Sequence, residues 1–317
     1  MSPSRLALHA DDFGMSRAVS DGILHGFRHG LLTSTSLMAN APDAARALSQ
    51  WKGLLVEQSN GRLPSADVRR RLGDPDCPFD LGVHLNLTQG RPLGEHYPAE
   101  LLDGEGRFPG IFSLFARLRR CGDRLREAVR EEWRQQIQFL CDHGLRPTHL
   151  NGHQYVEMLP ATAELVPELM ERFGVKAVRV ALEPALLRNT ALHGFQIAKW
   201  PLARVKHLFA ARFRTLVDAR RIAHPDAFFG TAHAGGVDLR LLQLFLASSQ
   251  RHRFIEIALH PGQSAEETSP EEQANGWSDP LAFARPKELE MLVSEELPRC
   301  LQSRGRSLGR LQLLARE

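Results

Sequence analysis

Short apolar runs alternate with longer amphipathic stretches along most of this chain, and this alternation limits its possible folds more than any other feature. The runs have the length and the bounding turn residues of strands. When strands and helices alternate in this way, successive strands pair in parallel and the helices cover the sheet. The runs that predict strands are Leu6–Ala10, Ser34–Met38, Leu81–Leu87, Pro147–Asn151, Val175–Val180 and Phe254–Leu259.

The stretches between these runs have the periodicity and the end signals of helices. A helix is predicted over Ser16–His29, where Ser16 suits the N-cap position and Gly30 follows the last turn. The stretches Asp123–His143 and Ala161–Phe173 are also amphipathic and precede glycines. Residues 59–78 and 90–112, by contrast, are polar or rich in Gly and Pro and predict surface loops. The whole pattern is typical of an α/β barrel or of an open doubly wound sheet.

The length and the charge of the chain exclude several classes of protein. Its 317 residues suit either two domains or one barrel with insertions. The formal charge of +3 is too small for a general nucleic-acid binder, so we expect no nucleic-acid partner. The four cysteines form no Cys-x-x-Cys pair, and neither a signal-peptide core nor an apolar window of transmembrane length is present. These features predict a cytoplasmic protein.

A segment at about residues 184–221 has an unusual charge pattern. Residues 184–217 contain six Lys or Arg residues and no Asp or Glu. Apolar residues recur at helical spacing after Trp200, which predicts a basic amphipathic helix. Such a helix can pack on the barrel and expose a solvated basic face. It can also contact an anionic membrane or a phosphate-bearing lipid through residues 195–217, because Lys and Arg beside aromatic residues suit that interface.

Two adjacent aspartates, Asp11 and Asp12, stand at the end of the first predicted strand, just before Gly14. Neighbouring carboxylates repel each other, so such a pair persists where a cation neutralises part of its charge or where one member must be basic. Either aspartate can instead cap the helix that follows. The histidines elsewhere in the chain favour a metal or catalytic role.

Histidines also stand in or directly after three other predicted strands. The carboxyl ends of parallel strands meet at one edge of an α/β fold, where active sites gather. One Asp with two His leaves coordination positions open, which is typical of a catalytic divalent-metal site. Such a site activates water for the hydrolysis of amides or esters. The segments are 82–87 with His84 and Asn86, 148–154 with His149, Asn151 and His153, and 255–262 with His260.

Six strings of residues resemble the YdjC/ChbG carbohydrate deacetylase family and occur in that family's order. The resemblance spans residues 6–262 and covers most of the chain. It implies a distorted TIM-like (β/α) barrel, a single α/β domain over residues 1–317 with inserted loops and helices. It also implies an N-deacetylase of N-acetylated sugars that uses one divalent metal ion, Mg²⁺ or Zn²⁺, and forms a homodimer. The strings are Ala10–Gly14, Leu32–Met38, Gly82–Thr88, Thr148–Gln154, Phe228–Gly230 and Leu259–Gly262.

The resemblance also implies roles for individual residues. Asp12, His84 and His153 match the family's metal ligands. Asp11 matches the expected general base, and His260 matches the expected general acid. The residues expected on the substrate side of the site are Arg179, Asn86, Asn151 and Phe229.

The chain departs from the family around its second metal-binding histidine. Members commonly have Asp-Ser-His-Gln-His where residues 151–155 are Asn-Gly-His-Gln-Tyr. An acidic residue and a second histidine are therefore absent beside the metal. The substrate preference of known members, notably for soluble chitooligosaccharides, is therefore not carried over to this chain by the resemblance.

The principal hypothesis is a metal-dependent N-deacetylase that acts on an N-acetylated amino sugar. The basic segment favours a lipid-linked substrate, such as a polyprenyl-phosphate N-acetylhexosamine in lipid A or envelope glycolipid modification, at the inner face of the membrane. A soluble chitooligosaccharide deacetylase and a metal-dependent phosphoesterase, a class in which two-metal centres are common, stay open as alternatives. A sugar- or lipid-binding protein with a vestigial site is the non-enzymatic alternative.

Overall fold

A computed structural model describes residues 4–120, 122–193, 200–263 and 268–316. Its centre is a sheet in which the paired strands run parallel to one another. Helices connect most of the successive strands, as the sequence pattern predicts. The strands are β1 (Ser4–Phe13), β2 (Ser34–Leu37), β3 (Asp80–Leu85), β4 (His149–Gly152), β5 (Ala177–Val178), β6 (Ala227–Phe229), β7 (Phe254–Leu259) and β8 (Arg306–Leu308).

The strands lie in the order β5-β4-β3-β2-β1-β7-β6, and β8 pairs with the start of β1. β1 therefore lies in the middle of the sheet, between β2 and β7. An isolated parallel bridge joins Ala177 of β5 to Ala223, just before β6, so the two ends of this order approach each other. The predicted distorted TIM-like barrel is thus confirmed as a curled parallel half-barrel with helices.

The helices begin and end largely where their capping residues predict. The Ser16 hydroxyl accepts a hydrogen bond from the Val19 N–H at the start of α1. At the end of α6, Gly174 adopts a left-handed φ of 68°, which glycine reaches without a steric penalty. The helices are α1 (Arg17–Arg28), α2 (Ala44–Ser59), α3 (Ala66–Arg71), α4 (Ile111–Leu118), α5 (Asp123–Asp142), α6 (Leu165–Phe173), α7 (Leu186–His193), α8 (Trp200–Ala219), α9 (Leu239–Ser248), α10 (Pro270–Ala274), α11 (Arg285–Val293) and α12 (Glu296–Ser303).

Some short elements differ from the sequence prediction. β6 and β8 have three residues each, too few to show an apolar alternation. Residues 59–78, predicted as a loop, contain the six-residue helix α3. Arg69 of this helix donates hydrogen bonds to the backbone carbonyls of Phe27, Gly30 and Leu32. Contacts with a distant part of the chain therefore support this helix, and local propensity alone does not reveal it.

The basic segment forms two helices, α7 and α8, where the sequence predicts one. Ala210, Phe213 and Val217 of α8 are buried in the core, which accounts for part of its apolar spacing. Residues 194–199, including Lys199 of the predicted membrane contact, lie outside the described residues. No described helix combines the length and the apolar composition needed to cross a bilayer.

Candidate metal centre and active site

A bulge at the end of β1 places the two adjacent aspartates. The pairing of β1 with β2 shifts in register between Ala10 and Phe13, as happens where a strand contains an extra residue. Asp12 has a φ of 68°, a left-handed conformation that few residues other than Gly, Asn and Asp adopt readily. Adjacent side chains of a regular strand point to opposite faces. Because of the bulge, Asp11 and Asp12 line the same cavity.

Asp12, His84 and His153 form a group that can bind a metal ion. Their candidate ligand atoms all lie within 4.8 Å of one another. The Asp12 Oδ1 atom lies 3.5 Å from Nε2 of His84 and 3.1 Å from Nδ1 of His153. The other ring nitrogen of His84 lies 3.0 Å from Oδ1 of Asn151, which orients the ring with Nε2 toward Asp12. The structure thus brings together the three residues that the sequence predicts as ligands.

Asp11 lies beside this group and is held by a buried arginine. Arg179 donates two hydrogen bonds to the Asp11 carboxylate, at 2.7 and 2.8 Å, and Asn151 donates a third at 3.0 Å. Burial alone would raise the pKa of Asp11, but the charge of Arg179 lowers it well below its usual range. Asp11 is therefore an anion at neutral pH, as a proton acceptor must be.

His260 directly follows β7, on the other side of Asp11. Its Nε2 atom lies 3.8 Å from Oδ2 of Asp11. Burial lowers the pKa of His260 to about 4, so the ring is neutral at pH 7. The His260 backbone N–H donates to the carboxyl group of Glu288. The two residues predicted as base and acid therefore face the same cavity as the candidate metal ligands.

Arg285 is a further member of the site, and it is not predicted from the sequence. Its guanidinium donates to Oδ2 of Asp12 at 2.8 Å and to the Asp279 carboxylate at 2.6 and 3.0 Å. Burial raises the pKa of Asp12, but the charge of Arg285 and the adjacent histidines lower it well below the usual range. No local pattern around Arg285 distinguishes it from a surface arginine at the start of a helix.

His9 and Glu256 are two more polar residues that belong to the site. Neither residue is predicted from the sequence to have a role in the site. Both are fully buried inside the barrel, where Glu256 accepts hydrogen bonds from Arg179 at 2.7 and 2.9 Å. His9 lies 3.2 Å from Asp11. The signal that points to them is a polar residue within an apolar strand, in Leu8-His9-Ala10 and Ile255-Glu256-Ile257, because a buried charge requires a partner.

None of the four residues predicted on the substrate side lines the cavity. Arg179 and Asn151 support Asp11 and His84 from below, and both are buried. Their role as substrate contacts stays a prediction. Side chains that fill the interior of a barrel in layers contact one another.

The other two substrate-side residues have structural roles. The Asn86 side-chain oxygen accepts hydrogen bonds from the backbone N–H groups of Thr88 and Gln89, at 2.9 and 3.2 Å, and so closes the turn after β3. Phe229 is fully buried and stacks on Phe245, with ring centroids 4.9 Å apart. Neither lines the cavity.

The cavity has a volume of about 160 Å³ and lies at the carboxyl ends of the strands. One side of its wall comes from the basic segment, because Lys206 of α8 lines it beside Tyr155. The Lys206 ammonium lies 4.8 Å from the centroid of the Tyr155 ring, a cation–π contact. Apart from the candidate ligands, base and acid, the wall is formed by Met15, Gln89, Gly152, Gln154, Tyr155, Lys206, Thr231, Ala234, Asp279, Pro280, Leu281 and Arg285.

Glu157 gives the site region a predicted pH dependence of stability. Its carboxyl group is fully buried, has no hydrogen-bond partner from another described residue, and has a pKa raised by burial from 4.5 to about 7. The folded chain therefore keeps a proton that the unfolded chain loses, and this stabilisation disappears as the pH rises through about 7. We expect Glu157→Gln to gain a few degrees of Tm relative to wild type between pH 5 and pH 8, measured by circular dichroism.

The matched control for this measurement is Glu171→Gln, an exposed glutamate on α6. We expect its Tm to follow the wild-type pH profile. A Glu157→Gln profile parallel to wild type would show that Glu157 is not protonated in the folded protein.

The fold and the site together define a class of protein, an α/β enzyme with a candidate metal site beside a carboxylate–histidine pair at the carboxyl ends of its strands. The chain belongs to the YdjC-like protein family, whose model matches residues 5–303. Curated relatives of the chain are named carbohydrate deacetylase. They are hydrolases that act on amide bonds, and the chain is an enzyme of this class.

The relatives cover the chain to different extents. A carbohydrate deacetylase of Clostridium beijerinckii is 25% identical over 293 residues, which are 92% of this chain and 93% of the relative. The mouse and human carbohydrate deacetylases are 34% and 33% identical over 182 residues, 56% of this chain. These matches span only 51% and 49% of the mouse and human proteins. The similarity to the mammalian relatives is thus confined to about half of their length.

A solved structure shares the fold over nearly the whole chain. It comes from Enterococcus faecalis V583 and has been given a provisional role in cellobiose-phosphate cleavage. It covers 99% of this chain and 99% of its own, with a TM-score of 0.66. Its sequence identity is 22%, so the likeness concerns the fold alone.

Proposed function

We propose that this protein is a metal-dependent N-deacetylase that hydrolyses the acetamide of an N-acetylated amino sugar. The observation that carries the proposal is the arrangement of Asp12, His84 and His153 around one cavity with Asp11 and His260. Binding alone would not need candidate metal ligands, a charged carboxylate and a neutral histidine together. The names of the curated relatives support an acetylated sugar as the substrate.

The donor set at this site fits a divalent cation. One carboxylate and two imidazoles match the preferences of Zn²⁺ and related transition metals more closely than those of Mg²⁺, which favours oxygen ligands. When bound, such an ion supplies a Lewis acid for the acetyl carbonyl and for the attacking water. Among the described residues, only Asp12, His84 and His153 form a group of this kind.

The chain's own residues move the protons of the reaction. Asp11 is anionic and faces the cavity, so it accepts a proton from the water that attacks the acetyl carbon. Arg179 and Asn151 hold this carboxylate in one orientation. The water oxygen becomes part of acetate when the carbon–nitrogen bond breaks.

The departing amine nitrogen requires a proton, and His260 is placed to deliver it. Its pKa of about 4 means that the ring is neutral before the reaction. The ring must therefore take up a proton within the cycle, and Asp11, which lies 3.8 Å away, is placed to pass on the proton from water. The sugar then leaves as a free amine, and both side chains return to their starting charges.

We further propose that the sugar is lipid-linked, with α7 and α8 facing an anionic membrane. Leucines and a valine are exposed on these helices, and Leu187 of α7 and Leu208 of α8 line the same surface cavity. Exposed apolar side chains that lie together mark interaction sites. Basic residues lie among them, and Lys206 of the same helix reaches the cavity wall. A lipid surface satisfies both the apolar and the cationic side chains. The exposed fractions are 56% for Leu187, 51% for Leu192, 46% for Val205 and 68% for Leu208.

The experiment that tests the function measures acetate release by the metal-loaded protein. Di-N-acetylchitobiose and a polyprenyl-phosphate N-acetylhexosamine are compared side by side. Release from the lipid-linked sugar alone would support envelope glycolipid modification, whereas release from chitobiose would assign the enzyme to soluble chitooligosaccharides. Release from neither substrate would contradict both, and a stoichiometry of two metal ions per chain would then favour the phosphoesterase.

The membrane contact predicts a loss of vesicle binding when the charge of α8 is reduced. The double variant Arg204→Gln/Arg212→Gln removes two cationic side chains, each worth about 1 kcal/mol at an anionic surface. We expect binding to phosphatidylserine-containing vesicles to weaken roughly thirtyfold in a sedimentation assay. Turnover of a water-soluble amino sugar should not change, because neither residue lines the cavity.

Arg70→Gln/Arg71→Gln on α3 is the matched control. Both arginines are exposed, and α3 lies outside the basic segment. If both double variants weaken vesicle binding equally, net charge alone explains the binding and the specific role of α8 is wrong.

A further inference from the structure

Helix α11 contacts the candidate active site through two buried side chains one turn apart. Arg285, its first residue, reaches Asp12, and Glu288 reaches the backbone of His260. Both are 1% exposed. Buried polar groups of this kind persist where each has specific hydrogen-bond partners. One helix thus touches both a candidate metal ligand and the candidate general acid.

Arg285 determines which oxygen of Asp12 is available to a metal ion. Its Nη2 atom lies 2.8 Å from Oδ2 of Asp12. The other oxygen, Oδ1, lies 3.1 Å from His153 and 3.5 Å from His84. The two oxygens of the Asp12 carboxylate therefore have different partners. Oδ2 accepts a hydrogen bond from the guanidinium, and Oδ1 faces the two imidazoles.

Asp279 completes this arrangement and compensates the charge of the guanidinium. It accepts hydrogen bonds from Nε and Nη2 of Arg285, at 2.6 and 3.0 Å. The guanidinium therefore contacts two carboxylates. Its single positive charge balances part of the charge of each, so it does not fully compensate the charge of Asp12. Asp12 keeps negative charge for a cation even though an arginine lies beside it.

Glu288 contacts the backbone of His260, the candidate general acid. Its carboxyl group accepts the backbone N–H of His260 and, at 3.0 Å, that of Val237. The Gly262 that follows packs closely against Arg285, since a Cβ at this position would lie 3.0 Å from Cδ of the arginine. The turn that carries His260 is therefore held against α11 by the hydrogen bond to Glu288 and by the close packing of Gly262 on Arg285.

We infer that Arg285 and Glu288 are positioning residues for the proposed deacetylation, Arg285 for the metal ligand Asp12 and Glu288 for His260. The inference rests on the proposed function for its catalytic part. Its metal-binding part is independent of any substrate. The two residues have separable effects, because one supports metal binding and the other supports proton delivery.

The test measures Zn²⁺ affinity by calorimetric titration of chelator-stripped protein, and kcat and KM for acetate release at saturating Zn²⁺. Arg285→Met should weaken Zn²⁺ binding by about 10–100-fold, the usual effect of losing a residue that supports a metal ligand. Arg285→Lys should restore part of this affinity, because the lysine ammonium keeps a hydrogen-bond donor for Oδ2 of Asp12 but lacks the guanidinium geometry. Glu288→Gln should lower kcat while leaving Zn²⁺ affinity and KM within about twofold of wild type.

Arg306→Met is the matched control. Arg306 is a buried arginine that donates to backbone carbonyls of Ser249 and His252, away from the cavity. It should lower Tm without changing Zn²⁺ affinity. If Arg285→Met does not fold, Asp279→Asn provides the second test, because an uncompensated guanidinium should then compete with Zn²⁺ for Asp12 and weaken binding.

Wild-type Zn²⁺ affinity in folded Arg285→Met or in Asp279→Asn would overturn the assignment of Arg285. Weakened Zn²⁺ binding in Glu288→Gln, or an unchanged kcat, would overturn the assignment of Glu288. Failure of the proposed function would look different. The wild-type protein would then release no acetate from any amino sugar, while Zn²⁺ binding would still depend on Arg285.

Discussion

Replacement of Asp11 by asparagine should lower kcat by about 10²–10⁴-fold, the usual contribution of a general base. The amide cannot accept the proton that the attacking water loses. Asp11 is not one of the three candidate ligands, so the Asp11→Asn protein should still bind one divalent ion per chain. Acetate release and metal content by mass spectrometry, measured on the same preparation, check both parts of the prediction.

Asp43→Asn is the appropriate control for this substitution. Asp43 pairs with Arg46 near the surface, at 2.6 Å, and does not line the cavity. It should keep wild-type turnover. Substantial activity in Asp11→Asn would assign the base to another group, and loss of the metal ion would make Asp11 a ligand.

Removal of a candidate metal ligand should have the second large effect. His153→Ala should reduce metal affinity by more than the roughly 10–100-fold typical of residues that only support a ligand. Turnover should be lost at metal concentrations that saturate the wild type, and chelation of the wild type should produce the same loss. Restoring Zn²⁺ should recover the activity of the chelated wild type but not that of the variant.

His143→Ala is the control for the histidine substitution. His143 follows α5 and contacts the carbonyl of Phe139, away from the cavity. The His143→Ala protein should bind metal with wild-type affinity. Full turnover of the wild type after exhaustive chelation would exclude a metal-dependent reaction, and normal metal affinity in His153→Ala would remove His153 from the ligand set.

The pair of aspartates shows how the structure refines a sequence argument. Two adjacent carboxylates predict a nearby cation, because their charges repel. In the structure each carboxylate has its own arginine, Arg179 for Asp11 and Arg285 for Asp12. Both aspartates are therefore kept anionic without a metal ion. This leaves the carboxylates ready to bind a cation and to accept a proton.

The sequence alone determined the parallel α/β architecture and the strand ends at which the chemistry lies. Asp11, Asp12, His84, His153 and His260 follow from this pattern together with the family resemblance, and the structure brings all five into one cavity. Their placement at strand ends is predictable because strand periodicity and capping are local properties of a few neighbouring residues. The carboxyl ends of parallel strands then meet at one edge of the sheet whatever the loops do.

Only the tertiary structure decided which side chains support this set and which line the cavity. Arg179 lies 168 positions from Asp11, and Arg285 lies 273 positions from Asp12. The structure shows that Arg179 donates hydrogen bonds to the Asp11 carboxylate, and it adds Lys206 to the cavity wall. The physical reason is that charge pairing acts through space. A buried carboxylate requires a partner, but nothing in its local sequence specifies where along the chain that partner lies.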